Sequence, residues 1–157
     1  MKQTFILDEN IYIQSHTCKD ISETTDDYNS LSLIITILVE CHKIGLTQKL
    51  AEKYWEKSKA LESKGKITNA VRIWRDFLYR NDKQARSSSH LEGLPTNLEH
   101  DRHVIEPTVF LSGILVTTDG KLKNRLEEWN KKKNFDIGIM SPADAIALLR
   151  TVKAESI

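Results

Sequence analysis

The sequence predicts an α/β fold, three layers deep, with helices on both faces of a central parallel sheet. Three observations carry this. Residues 3–7, 114–117 and 137–140 are short apolar runs, the length of buried strands and too short for helices. Longer segments with apolar residues at helical spacing lie between them, the alternation expected of parallel βαβ units. Two of the runs lead directly into an acid, Asp8 after Phe5-Ile6-Leu7 and Asp119 after Val116-Thr117-Thr118.

The elements follow in order. A strand over 3–7 leads to a short helix from Asn10 to about His16, then a polar loop from Thr17 to Asp27. Leu31, Ile34, Ile35, Leu38 and Val39 recur at helical spacing, which predicts a helix over about 27–43 that stops before Gly45. Thr47 caps the next helix, expected to run to about Lys64 before Gly65. Val71, Trp74 and Leu78 form one stripe of a helix over about Thr68–Arg80. Asn81–Asn97 holds a serine run, Gly93 and Pro95 and reads as a long surface loop. Leu98–Ser112 reads as helical, with Pro107 breaking or offsetting it. The 114–117 strand, a helix over about Gly120–Lys131 and the 137–140 strand follow. Ser141-Pro142-Ala143-Asp144 is a strong helix start, with Ser as the cap, Pro in the first turn and Asp near the positive end of the dipole. That helix runs to about Val152. No internal repeat is visible.

Length and composition bound the function classes. A chain of 157 residues is most simply one domain over 1–157. It is long enough to bury roughly 70% of its unfolded surface without disulfides or a structural metal. Cys18 and Cys41 have no zinc or redox spacing and read as reduced thiols, which fits a cytoplasmic protein. The start of the chain lacks the pattern of a signal peptide, and the apolar stretch Leu31–Val39 is too short to span a bilayer. The net charge of +1 neither favours nor excludes nucleic acid. Its distribution says more. Arg72, Arg75, Arg80, Lys83 and Arg86 interleave with Trp74, Phe77 and Tyr79, while Lys121, Lys123, Arg125 and Lys131–Lys133 accompany Trp129. Such segments either grip phosphates and stack on bases or form amphipathic helices with solvated faces.

Four acids are the candidate chemical groups: Asp8, Glu40, Asp101 and Asp119. In an open α/β sheet, ligands bind beyond the carboxyl ends of the strands, where Asp8 and Asp119 are expected. Carboxylates gathered there repel one another unless a cation sits between them, and oxygen donors favour Mg²⁺ or Mn²⁺. Glu40 closes the most apolar helix. Asp101 stands in Glu99-His100-Asp101-Arg102-His103, where His100 and His103 are alternative ligands. Glu9 adds an acid beside Asp8. Metal-activated water is the simplest chemistry for such a set, because no side chain is obviously placed as a covalent nucleophile.

Over about residues 4–152 the sequence resembles a PIN domain, the metal-dependent ribonuclease fold that includes the VapC-type toxins. Phe5-Ile6-Leu7-Asp8-Glu9-Asn10 looks like the family's first strand and first acid, Leu38-Val39-Glu40 like its second acid, and Asp101 through Ile114-Leu115-Val116-Thr117-Thr118-Asp119 like its third and fourth. Ile137–Pro142 looks like the closing strand and helix start. The resemblance implies that Asp8, Asp101 and Asp119 hold Mg²⁺ or Mn²⁺, that Glu40 completes the catalytic set, and that Asn10 and Thr117 support it. It implies an endoribonuclease, and of the basic segments described above Arg72, Arg75, Lys121 and Lys123 are the residues expected to grip the RNA backbone. A toxin would have an antitoxin partner; an RNA-processing enzyme would not. Glu106-Pro107 departs from the family's pattern, and residues 46–97 align with no subfamily, reading as a substrate-specific part or a homodimer surface. The rival readings are a PIN-like module that binds RNA or protein without cleaving, and a receiver-like domain with Asp8 as the phosphoryl acceptor.

Overall fold

The computed structural model describes residues 2–20, 22, 24–65, 69–134 and 136–155. The fold is α/β: a five-stranded, all-parallel sheet flanked by helices. In chain order the elements are β1 (Thr4–Leu7), α1 (Glu9–Thr17), α2 (Asn29–Val39), β2 (Lys43–Leu46), α3 (Gln48–Ser63), α4 (Asn69–Tyr79), β3 (Gln84–Arg86), α5 (Arg102–Phe110), β4 (Ile114–Val116), α6 (Gly120–Lys133), β5 (Gly138–Met140) and α7 (Pro142–Glu155). Short 3₁₀ turns at Asn81–Lys83 and Thr96–Asp101 lead into β3 and α5. The expected helix start at Thr68 lies outside the described residues.

The sheet order is β3-β2-β1-β4-β5. β1 is central, as a run with Phe5, Ile6 and Leu7 all fully buried requires. It pairs with β2 through Phe5↔Ile44 and with β4 through Ile6↔Leu115. From β1 the chain winds outward to β2 and β3, then returns across β1 to β4 and β5. The order therefore reverses between β1 and β4, which places the crevice for a ligand beyond their carboxyl ends.

The structure changes two sequence readings on the other half of the sheet. α2 ends at Val39, Glu40 is extended at φ −100° and ψ −174°, and Lys43–Leu46 is a strand rather than the end of a helix. Gly45 is thus a strand glycine. A Cβ there would stand 3.0 Å from side-chain atoms of both Ile6 and Leu111, so the glycine lets the segment after α5 settle onto β1 and β2. The second change lies in the supposed 81–97 loop, where Gln84–Arg86 forms the edge strand β3. Gln-Ala-Arg carries no apolar run, so its pairing comes from its neighbour β2 rather than from any signal of its own.

Pro107 neither breaks nor shortens α5, which continues through it to Phe110. Proline has no N–H, so the carbonyl four residues earlier, that of His103, loses its helical partner. Thr47 Oγ1 donates to that carbonyl at 3.4 Å while accepting from Leu50 N–H at 3.1 Å. The α3 cap and the α5 proline therefore meet at one point, which ties the start of α3 to His103.

Helices α1, α2, α4 and α7 form one packed group, while α5 runs across β1, β2 and β4. The aromatic residues 74 and 77 belong to the core and not to a base-stacking platform: Trp74 is 1% exposed and Phe77 fully buried. Trp74 lies 5.0 Å from the Tyr12 ring and 4.7 Å from the Tyr54 ring, and its indole N–H donates to Ser15 Oγ at 2.9 Å. Trp129 is buried as well. Lys83 is a structural cation. Its ammonium donates to the carbonyls of Ile37 at 3.0 Å, His42 at 3.4 Å and Glu40, closing the open end of α2. Among the described residues no helix is long and apolar enough to cross a membrane.

Candidate metal centre

A close group of ionisable side chains gathers at the carboxyl ends of β1 and β4. β1 ends at Leu7, and Asp8 becomes the cap of α1. Asp8 is 6% exposed, and both of its oxygens are held. One accepts the Glu9 N–H at 2.7 Å; the other accepts the Thr117 hydroxyl at 2.7 Å. Thr117 Oγ1 in turn accepts the Asp119 N–H at 3.0 Å. One buried hydroxyl thus links the strand-end acids of β1 and β4. Burial pushes the Asp8 carboxyl above its usual range, partly opposed by the Thr117 hydrogen bond.

Glu9 and Asp8 are shifted in opposite directions. Glu9 Oε1 lies 2.5 Å from His103 Nε2, and Lys53 Nζ is 3.8 Å from Glu9 Oε2. The hydrogen bond to His103 holds the Glu9 carboxyl below its usual range despite partial burial. His103 is itself 5% exposed, at the start of α5. Asp8, Glu9 and His103 each offer a ligand atom, and all three atoms lie within 4.8 Å of one another. Beneath them Tyr54 donates to the Leu7 carbonyl, and burial followed by the Asp8 and Glu9 fields raises its hydroxyl pKa.

Asp101 and Asp119 flank this cluster. Burial raises the Asp101 carboxyl, the positive fields of His103 and His100 lower it, and Asp119 is close enough to raise it again. Asp119 caps α6, accepting from Lys121 N–H at 3.0 Å and Leu122 N–H at 3.2 Å. Lys121 and Lys123 therefore stand in the first turn of α6, on the carboxyl edge. The hydroxyl of Thr118, beside Asp119, is buried with no hydrogen-bond partner among the described residues.

Other candidate residues fall elsewhere. Glu40 precedes β2 and so lies at the amino edge of a sheet whose strands are all parallel, opposite Asp8. There it meets His42 Nε2 at 3.3 Å and Lys153 Nζ at 3.4 Å. The expectation that Glu40 borders the same pocket as Asp8 is therefore corrected: α2 ends at the edge of the sheet where β2 begins, the side away from Asp8. Glu40→Gln should leave any metal-dependent activity of the carboxyl edge within about twofold of wild type, measured as initial rate; a loss like that of an Asp8 variant would return Glu40 to the site. Asn10 sits in α1 and makes no side-chain hydrogen bond among the described residues, so Thr117 and the Glu9 N–H orient Asp8 instead. Arg75 is paired with Glu62, while Arg72 is exposed on α4, which packs against α1 and α2.

Glu9 and His103 come to the centre of the site although sequence reasoning placed them at its margin. Glu9 had its adjacency to Asp8 as a signal. His103 had only its place in an acidic, histidine-rich string, where periodicity does not say which member turns inward.

Two carboxylates and an imidazole suit a divalent cation of the first transition row as well as Mg²⁺. The residues present therefore fit a divalent ion. In comparisons with family models, with curated proteins and with solved structures, the chain matches none.

Proposed function

We propose that this protein is a divalent-metal-dependent endoribonuclease that hydrolyses RNA phosphodiester bonds. The observation that carries the reading is the Asp8, Glu9 and His103 cluster, with its ligand atoms within 4.8 Å, at the point where the strand order reverses. RNA as the substrate rests on the resemblance to PIN domains.

Asp8, Glu9 and His103 would hold the ion, with Asp101 and Asp119 at its margin. When bound, Mg²⁺ or Mn²⁺ supplies Lewis acidity to a phosphoryl oxygen and lowers the pKa of water. The chain's own groups do the rest. Thr117 fixes one oxygen of Asp8 and the α1 N-terminus fixes the other, so the carboxylate enters the reaction already oriented. The hydrogen bond between His103 and Glu9 Oε1 sets the two side chains side by side and holds the Glu9 carboxyl below its usual range. Lys53, Lys121 and Lys123 bring positive charge to the acidic edge and offset its repulsion of a phosphodiester.

The test is cleavage of a labelled, structured RNA with Mg²⁺, with Mn²⁺ or with EDTA. Defined fragments are expected with either ion and none with EDTA. Cleavage that persists in EDTA, or no cleavage with any divalent ion, would sink the reading, and RNA binding without cleavage would put a non-catalytic module in its place.

A further inference from the structure

Helix α3 brings a cation of its own to the candidate metal centre. Tyr54, 1% exposed, donates its hydroxyl to the Leu7 carbonyl, and Leu50, one turn earlier, is fully buried, so this part of α3 is fixed against the carboxyl end of β1. Lys53, the neighbour of Tyr54, is carried with it. Its ammonium lies 3.8 Å from Glu9 Oε2, and the two side chains are 26% and 22% exposed. Lys49 and Lys59 of the same helix are exposed, so the approach of Lys53 comes from packing and not from a lysine lying loose on the surface. Glu9 is thus held from two directions in two ways. His103 Nε2 meets Oε1 at 2.5 Å, a hydrogen bond. Lys53 stands beyond hydrogen-bonding distance of Oε2 and acts by charge alone. The hydrogen bond with His103 is the main cause lowering the Glu9 carboxyl, and the fields of Lys53 and Lys57 add to it. Asp8, raised first by burial, is raised further by the charge of Glu9.

We propose that Lys53 is the built-in counter-ion of the Asp8, Glu9 and His103 cluster, which a divalent ion must displace from Glu9 on binding, so that this lysine sets the ion concentration at which the centre fills. The proposal rests on the reading of that cluster as a metal centre. Two carboxylates adjacent in the chain repel each other, and a positive charge beside one of them offsets part of that repulsion. An ion held by the same carboxylates offsets it with two charges. Hard divalent ions bind carboxylate oxygens at about 2.1 Å, well inside the distance that the ammonium keeps. Ion and ammonium then face each other across one carboxylate with like charge, and the half-buried setting limits screening of that repulsion by salt. Of the two groups on Glu9, Lys53 is the one free to give way. Its charge sits on a flexible four-carbon stem and no hydrogen bond ties it to Glu9, whereas the His103 ring is 5% exposed and hydrogen-bonded. Lys53 is therefore a positioning residue: it acts on the ion through Glu9 and is not a ligand.

The test is calorimetric titration of Mn²⁺ into the proteins without RNA, with urea unfolding in EDTA beside it. Lys53→Met keeps an unbranched, helix-favouring side chain and removes the charge. It should bind Mn²⁺ about tenfold more tightly than wild type, the direction and rough size expected when one charge facing a divalent ion is removed. Lys53→Arg keeps the charge and should stay within about twofold of wild type, as should Lys59→Met, the same change at an exposed position of α3. In EDTA, Lys53→Met should unfold at lower urea than wild type. In a Glu9→Gln background that difference should vanish, because the charge that Lys53 offsets is gone. A lysine that only packs would cost stability in both backgrounds and leave Mn²⁺ affinity unchanged. One that orients Glu9 for the ion would weaken Mn²⁺ binding when lost. Either result overturns the counter-ion, as does a failure of both wild type and Lys53→Met to bind Mn²⁺. Cleavage judges the nuclease reading separately. Tighter Mn²⁺ binding by Lys53→Met with no RNA cleavage by either protein leaves the counter-ion standing and removes the nuclease; metal-dependent cleavage with equal Mn²⁺ affinities does the reverse.

Discussion

Asp8→Asn should abolish metal-dependent RNA cleavage and leave the metal-free protein at least as stable as wild type. Asparagine keeps the shape of the side chain and one carbonyl oxygen, so the Glu9 N–H that Asp8 accepts at 2.7 Å retains an acceptor. What disappears is the negative charge on a residue only 6% exposed. Losing a direct ligand should reduce the rate by more than the roughly 10–100-fold typical of a supporting residue. The stability argument runs the other way. Asp8 has a raised carboxyl pKa because burial disfavours its ionised form. A group with a raised pKa in the folded state contributes stability fully present below its unfolded pKa and lost as pH rises through the folded value. At neutral pH the ionised Asp8 is therefore a burden on the metal-free fold, and neutral asparagine removes it. Mn²⁺ at about 100 times its Kd should stabilise wild type by about 2.7 kcal/mol, or about 5–11 °C in Tm, and should give Asp8→Asn little or nothing. A variant that cleaves at the wild-type rate, or that shows the full Mn²⁺-induced shift, would remove Asp8 from the site.

The parts of the fold that could be read from residues are those in which one physical signal dominates. β1 and β4 are doubly covered strands and had to be apolar on both faces, so Phe5-Ile6-Leu7 and Ile114-Leu115-Val116 announced themselves. Thr47 and Ser141 act as caps where their types predicted, accepting the N–H of Leu50 and Asp144. β2 and β3 were hidden for different reasons. Lys43–Leu46 continues the apolar pattern of α2, and Gly45 resembles a helix stop until its contact with Ile6 and Leu111 is known. Gln84–Arg86 pairs only because β2 offers it an edge.

The candidate site divides in the same way. Asp8, Asp119 and Thr117 follow strands, so their place on the carboxyl edge came with the strands. Glu40 did not, because it stands between α2 and the start of β2, and a strand parallel to β1 begins at the amino edge. His103 depends on a contact between α5 and β1, far apart in sequence, and no local pattern announces its hydrogen bond to Glu9. Pro107 looked like a disturbance of α5. Its missing N–H instead frees the His103 carbonyl for Thr47, so an apparent defect fixes the position of a site residue.

Thr117→Val should show how far the site depends on that kind of support. Valine matches threonine in shape but has no hydroxyl. Two hydrogen bonds would go together: the one donated to Asp8 Oδ2 at 2.7 Å and the one accepted from Asp119 N–H at 3.0 Å. Asp8 would stay buried with one donor instead of two, and the Asp119 N–H would lose its acceptor. Removing hydrogen bonds from a buried carboxylate costs about 1.5–3 kcal/mol. The pH dependence separates this effect from simple loss of packing. The Thr117 bond lowers the Asp8 pKa, so without it the carboxyl should move further above its usual range. Stability present at acid pH is lost as pH rises through the folded value, and a still higher value means a greater loss by neutral pH. The gap between variant and wild type, measured by urea unfolding of the metal-free proteins, should therefore widen from acid to neutral pH. Cleavage and Mn²⁺ affinity should each fall about 10–100-fold, the effect of losing a residue that orients a ligand without being one. Thr117→Ser, which keeps the hydroxyl, should recover most of the activity. A stability gap that is the same at every pH, or a serine variant no better than valine, would mean that Thr117 serves the packing of β4 and not the charge on Asp8.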